Sequence, residues 1–161
     1  MNHGQISLYW AMLVSIIMPL FNEEKTAGKI IEKVLGLPLD LELIIVNNGS
    51  DDATGLIIRQ FADISKVKII DKEKNIGKGD AITTALQYAV GKYTIIQDGD
   101  LEYEPMDIVE MVNLAEKNNA PAVFGSRIRN PKAGISYQRY LWGGEAFDYY
   151  CQYALWCRNN G

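Results

Sequence analysis

The chain has 161 residues, 48% hydrophobic and 22% charged, a globular composition long enough to bury one sizeable core in a single domain. A net charge of −4 and a pI near 5.0 give no overall pull toward nucleic acid, so an anionic ligand must be held by a local cluster. The one histidine, His3, all but excludes a histidine-based acyl-transfer triad. Cys151 and Cys157 have no zinc-ligand spacing and, in a segment that reads as helical, no disulfide geometry, which suits a reducing cytoplasm.

Residues 1–12 read as a tail. The apolar run that reaches Phe21 holds Pro19, has no basic flank and stops at "NEE", so it reads as a buried strand rather than a signal peptide, and it is shorter than the roughly 20 residues that span a bilayer. From residue 13 four units repeat one grammar: a β-branched run, a polar turn, then apolar residues at helical spacing. "LVSIIMPL" leads through "FNEE" to a helix with Ala27, Ile30, Ile31, Val34 and Leu35 on one face; Asn22 is placed to cap it, with Glu23 and Glu24 at its positive end. "ELIIV" and the turn "NNGSDDAT" precede a helix carrying Ile57, Ile58 and Phe61. "VKIID" and "KEKNIGKGD" precede a helix with Ile82, Ala85, Leu86 and Ala89, stopped at Gly91. "YTIIQ" and an acidic turn precede a helix from about Pro105, and "PAVFGSR" reads as a fifth strand.

Continuously apolar strands alternating with amphipathic helices predict a doubly wound α/β domain, its mostly parallel sheet covered on both faces. Ligands of such sheets bind beyond the carboxyl ends of the strands. Here each of those ends carries polar residues, including Asn47, Asn48, Lys78, Asp98, Asp100, Ser126 and Arg127.

In "QDGDLEYEP", Asp98, Asp100 and Glu102 stand at every second position. Extended backbone would put them on one face at roughly 7 Å steps, and their repulsion is removed if they ligate a hard divalent cation, Mg²⁺ or Mn²⁺. The competing reading is a solvated turn ahead of a helix. Gly99 between two of them allows a sharp turn or a close approach. A metal with open positions suggests a diphosphate, and Lys78, between Gly77 and Gly79, adds a positive charge there or is an ordinary surface lysine. The chain lacks the spacing of a P-loop and the G-x-G-x-x-G of a dinucleotide dehydrogenase.

"SIIMPLFNEEKT", "ELIIVNNGSDDAT", "NIGKGDAITTAL", "IIQDGDLEYEP" and "VFGSRIRNP" together resemble the successive motifs of family 2 glycosyltransferases with the GT-A, nucleotide-diphospho-sugar transferase-like fold. The likeness is strongest to the polyprenyl-phosphate (dolichyl-phosphate-like) mannosyl- and glucosyltransferases. It implies a nucleotide-sugar donor of the GDP-mannose or UDP-glucose type and an inverting transfer. It further implies that Pro19, Phe21 and Glu23 border the nucleoside and that Asp98, Asp100 and Glu102 form the metal and diphosphate motif, beside which Gly77 and Lys78 are further candidate substrate-binding residues. Asn47 and Asn48 fall where that family has two aspartates, a departure that keeps an acceptor oxygen near the base or ribose and removes the charge.

A phosphate monoester acceptor is an anionic nucleophile near neutral pH and needs cations where an alcohol would need a base. Arg127, with Arg129 and Arg139 following, offers bidentate guanidinium contacts to it. Eight of the sixteen aromatic residues fall between positions 137 and 156, which fits an amphipathic helix over 137–158 at a membrane interface or, equally, a core-facing one. The reading is thus a domain over 13–161, incomplete at its C-terminus, that moves a hexose to a polyprenyl phosphate at the cytoplasmic membrane surface as a peripheral protein. Asp100 and Arg127 would carry the catalysis. Its rivals are a catalytically incompetent nucleotide-sugar-binding module and a polysaccharide-building transferase with a hydroxyl acceptor.

Overall fold

The computed structural model describes residues 13–126 and the strand Cys151–Cys157; residues 1–12, 127–150 and 158–161 lie outside the described residues, and 125–126 and 151–157 are described by backbone alone. In chain order the elements are β1 (Val14–Leu20), α1 (Ala27–Leu35), β2 (Leu41–Asn48), α2 (Thr54–Arg59), β3 (Val67–Lys72), α3 (Lys78–Leu86), β4 (Tyr93–Ile96), α4 (Met106–Asn118), β5 (Ala122–Ser126) and β6 (Cys151–Cys157). The first nine follow the order that the sequence pattern predicts.

One six-stranded sheet results, in the order β3-β2-β1-β4-β6-β5. β3, β2, β1 and β4 are parallel, with Leu20 beside Asn47 and Ile17 beside Ile96. β6 runs antiparallel to both β4 and β5. The fold class is the expected one, α/β with a mostly parallel sheet.

β6 corrects the expectation of a helix through 137–158: residues 151–157 are strand, and the remainder of that segment lies outside the described residues. Tyrosine and tryptophan favour strands, and β4 and β5 each present a ladder of backbone groups that β6 satisfies. Cys151 and Cys157 end a seven-residue strand, about 20 Å apart at 3.3 Å per residue, so they cannot pair with each other.

The sheet's two faces sort the strand residues by parity. Ile16, Met18, Leu43 and Ile45 face a core built with Ile30, Ile31 and Val34 of α1, Ile58 of α2, and Ile108, Met111 and Val112 of α4. Ile17, Ile44 and Val46 face α3. Each fully buried isoleucine contributes about 1.5–3 kcal/mol relative to exposure.

On α3 the fully buried residues are Ala81 and Ala85, followed by Ala89 beyond the helix, with Ile82 half-buried against the same core, while Leu86 is exposed. The fully buried row is therefore all alanine, and Leu86 does not join the buried face that the sequence assigns to it. With no side chain beyond Cβ, that row leaves little between helix and strands. β1 connects through α1 to β2 on one side, and β3 through α3 to β4 on the other. The strand order therefore reverses between β1 and β4, and at such a switch point a crevice lies at the carboxyl rim.

Candidate functional site

A cavity of about 300 Å³ occupies that crevice. It is lined by Pro19 and Leu20 at the end of β1, by Phe21 and Glu23 after it, by Asn48 at the end of β2, by Asn75 and Lys78 before and at the start of α3, and by Asp98, Gly99 and Asp100 after β4. Seven residues singled out in the sequence thus meet in one place: Pro19, Phe21, Glu23, Asn48, Lys78, Asp98 and Asp100. Asn47, Gly77 and Glu102 are not in its wall. Arg127, Arg129 and Arg139 lie outside the described residues.

The β1–α1 loop is clasped to the β2–α2 loop by five hydrogen bonds. The Asn22 and Glu23 amides donate to Ser50 Oγ (3.1 Å) and Thr54 Oγ1 (2.7 Å), and the Glu24 amide to Asp52 Oδ2 (3.2 Å). In return the Asp51 and Ala53 amides donate to Asn22 Oδ1 (3.1 Å) and Glu24 Oε2 (3.2 Å). Asn22, at φ 56°, is therefore a loop bridge rather than the helix cap expected; Thr26 holds the N-cap position of α1. Burial nudges the Asp52 carboxyl upward, but hydrogen bonds from the Thr54 side chain and from the Thr54 and Glu24 amides outweigh it and hold the group below the usual aspartate range. The "NGSDDAT" turn thus fixes the wall that carries Phe21 and Glu23.

Gly49 joins this wall to the next loop. At φ +74°, it passes so close to the β3–α3 connection that a Cβ would stand 2.7 Å from the Lys74 carbonyl carbon and the Asn75 nitrogen. Gly99 serves a similar closeness on the opposite wall, where a Cβ would overlap the Leu20 side chain and approach Glu23 Cγ to 3.2 Å. Its role is packing against the neighbouring turn.

The two asparagines differ in what they face. Asn47 lies beside Asp71 in the β2–β3 register, and its Nδ2 donates to Asp71 Oδ1 at 2.9 Å while its Oδ1 accepts from the Ser50 amide. An aspartate at 47 would set two carboxylates against each other, which accounts physically for the neutral residue there. Asn48 is 3% exposed. Its Nδ2 donates to Asn75 Oδ1 (2.9 Å) and the Gly77 carbonyl (3.3 Å), and its buried Oδ1 finds no hydrogen-bond partner among the described residues. An acceptor left in that state beside a cavity costs free energy until a donor reaches it.

The acidic turn departs from the extended geometry. β4 ends at Ile96, Leu101 takes φ 61°, and the Glu102 amide donates to Asp100 Oδ1 at 3.1 Å. The chain bends back, Glu102 leaves the cavity wall, and among the described residues no three acidic, histidine or cysteine side chains converge as a metal cluster. The expected trio is therefore corrected to a pair, Asp98 and Asp100. A pair still fits a hard cation, because Mg²⁺-like ions take one or two carboxylates and complete their shell with water and substrate phosphates. A cation of the chain's own already sits there: Lys78 Nζ lies 2.5 Å from Asp98 Oδ1.

With this geometry the chain compares closely with known proteins. A model described as glycosyl transferase family 2 matches residues 15–157, and the chain belongs to that family. An uncharacterised protein of Methanocaldococcus jannaschii is 39% identical over 117 residues, 69% of this chain and 50% of that protein. A dodecaprenyl-phosphate galacturonate synthase of Rhizobium johnstonii is 32% identical over 128 residues, 76% of this chain and 38% of that protein. The chain thus spans half or less of these relatives. Among solved structures, a mannosyltransferase from Pyrobaculum calidifontis in complex with GDP-Man and Mn²⁺ superposes with a TM-score of 0.63 at 23% identity, over 73% of this chain and 36% of that one. At that identity the likeness is one of fold, and the fold is the GT-A glycosyltransferase fold.

Leu20 and Asn75 are the wall residues that the sequence reading missed. In the sequence Asn75 is only one polar residue of the turn "KEKNIGKGD", whereas its side chain orients Asn48; Leu20 carries no chemical signal.

Proposed function

We propose that this chain is the donor-binding part of an inverting glycosyltransferase that moves a hexose from a nucleoside diphosphate to a polyprenyl phosphate. The observation that carries the reading is the cavity at the switch point, where Asp98, Asp100 and Lys78 share the wall with Asn48, whose buried Oδ1 has no hydrogen-bond partner among the described residues. Asn48 Oδ1 takes a donor from the base or ribose, with Phe21, Pro19 and Glu23 bordering the nucleoside. Asp98 and Asp100 would hold a divalent cation, Mg²⁺ or Mn²⁺, which would supply positive charge at the diphosphate. Lys78 adds a further charge on that side.

An oxygen of the acceptor phosphate forms the new bond at the anomeric carbon, and the electrons of the broken bond leave with the diphosphate. Such an acceptor needs cations rather than a base, and Arg127, next in sequence after β5, is the residue assigned to seat it, with Arg129 and Arg139 in support. The name of the Rhizobium relative, a dodecaprenyl-phosphate galacturonate synthase, supports a lipid phosphate acceptor. Catalysis then occurs at the cytoplasmic membrane surface. Among the described residues no helix is long and apolar enough to cross a membrane.

The test is transfer. Labelled UDP-glucose and GDP-mannose are incubated with the protein and a short-chain polyprenyl phosphate, and label entering the organic phase is counted. Label in the lipid that falls at least a hundredfold in Arg127→Ala supports the proposal. Donor binding without transfer to any acceptor would leave a binding module, and transfer to a hydroxyl acceptor alone would exclude the lipid phosphate.

A further inference from the structure

Lys78 is placed where the cation would compete with it. Its Nζ is 2.5 Å from Asp98 Oδ1, and Asp98 is one of the two carboxylates that line the cavity. An ammonium and a divalent cation compete for that oxygen, since like charges a few ångströms apart repel. The backbone under Lys78 is fixed. Asn48 holds Asn75 and Gly77 by hydrogen bonds, and Gly49 abuts Lys74 and Asn75. What is free to move is the side chain, a point charge on a four-carbon stem that is 57% exposed. The other exposed lysine pairs, Lys33 with Glu104 and Lys92 with Glu116, lie away from the cavity wall.

We propose that Lys78 is an exchangeable counterion: it occupies Asp98 while no cation is bound and passes to the diphosphate when the nucleotide enters, which releases Asp98 for the cation. Nucleotide and cation then assist each other's binding, by the same factor in either direction. The proposal rests on the cavity being a nucleoside-diphosphate site.

Mn²⁺ binding, read from the free-ion paramagnetic resonance signal, tests it on the wild type, Lys78→Met and Lys74→Met, each without nucleotide and with saturating UDP or GDP. Lys74 is an exposed lysine of the same loop and serves as the control for simple loss of charge. Without nucleotide, Lys78→Met binds Mn²⁺ about two- to five-fold tighter than wild type, the range expected for removing an exposed ion pair, and Lys74→Met matches wild type. The factor by which nucleotide strengthens Mn²⁺ binding shrinks by a similar amount in Lys78→Met alone. Equal or weaker Mn²⁺ binding in Lys78→Met, equal tightening in both variants, or an unchanged coupling factor overturns the exchange. Failure of both nucleotides to bind the wild type in the presence of Mn²⁺ overturns instead the nucleotide reading beneath it, and is seen before any variant is compared.

Discussion

Replacing Asn47 with aspartate installs the residue type that the family resemblance expects, and here it should be harmful. Asn47 Nδ2 donates to Asp71 Oδ1 at 2.9 Å, and the two residues are register partners in the parallel ladder of β2 and β3. Two unit charges at that separation repel by about 1.4 kcal/mol in water and about 6 kcal/mol at an effective dielectric of 20. The Asp71 side chain is 46% exposed and has Arg59 Nη2 3.6 Å from its other oxygen, so the cost falls near the lower end. Adding about 1 kcal/mol for the lost hydrogen bond gives an expected destabilisation of about 2–3 kcal/mol at pH 7. Urea melts at pH 7 and pH 3.5 measure it. The introduced carboxyl is held uncharged to a higher pH in the folded chain than in the unfolded one, so the penalty is present at pH 7 and shrinks as pH falls toward the unfolded value of about 3.9. Asp71→Asn in the same chain should restore most of the loss by exchanging donor and acceptor. Wild-type stability for Asn47→Asp at pH 7, or no rescue by the second substitution, would refute the argument.

Two further substitutions probe the frame of the site. Gly49→Ala forces a Cβ against backbone atoms of the neighbouring loop at a positive φ and should cost about 2–4 kcal/mol in chemical denaturation; it should also weaken nucleotide binding, because Asn75 is displaced. Full retention of both would show that the two loops do not depend on that approach. Glu116 accepts hydrogen bonds from Lys92 Nζ (2.6 Å) and Tyr93 Oη (2.5 Å). Burial pushes its carboxyl upward, but these bonds and the Lys92 charge outweigh it, so the group lies below the usual glutamate range. A depressed carboxyl stabilises above the unfolded value of about 4.3 and loses that contribution as pH falls through the folded value. Glu116→Gln should therefore lower Tm by about 2–4 °C at pH 7, and the difference should shrink as the pH falls below the unfolded value. A Tm difference independent of pH would assign the effect to packing.

The sheet was legible because its strands hide both sides: "SIIM" and "LIIV" put isoleucines on each face, and nothing but a covered parallel sheet accommodates both. β6 was not legible, because a run as short as CQYALWC has no period that separates helix from strand, and what decides it is the gap between β4 and β5, two strands distant from it in sequence. Glu102 was misplaced for a local reason: alternation implies one face only while the backbone is extended, and Leu101 at φ 61° ends that. Ser50, Asp51, Asp52 and Thr54 read as a polar turn, yet their partners are the amides and side chains of residues nearly thirty positions earlier, which only the β1–β2 pairing brings within reach. Asn47 posed the same difficulty, since its partner Asp71 emerges only from the register.

The central claim is that Asp98 and Asp100 hold a cation that holds a diphosphate. Calorimetric titration of UDP-glucose, GDP-mannose and UDP-N-acetylglucosamine into the wild type and Asp100→Asn, each with Mn²⁺ and with a chelator, tests it most directly. At least one donor should bind the wild type only when Mn²⁺ is present and should show no measurable heat with Asp100→Asn. Donor binding that is undiminished by the chelator, or undiminished by the substitution, would contradict the account.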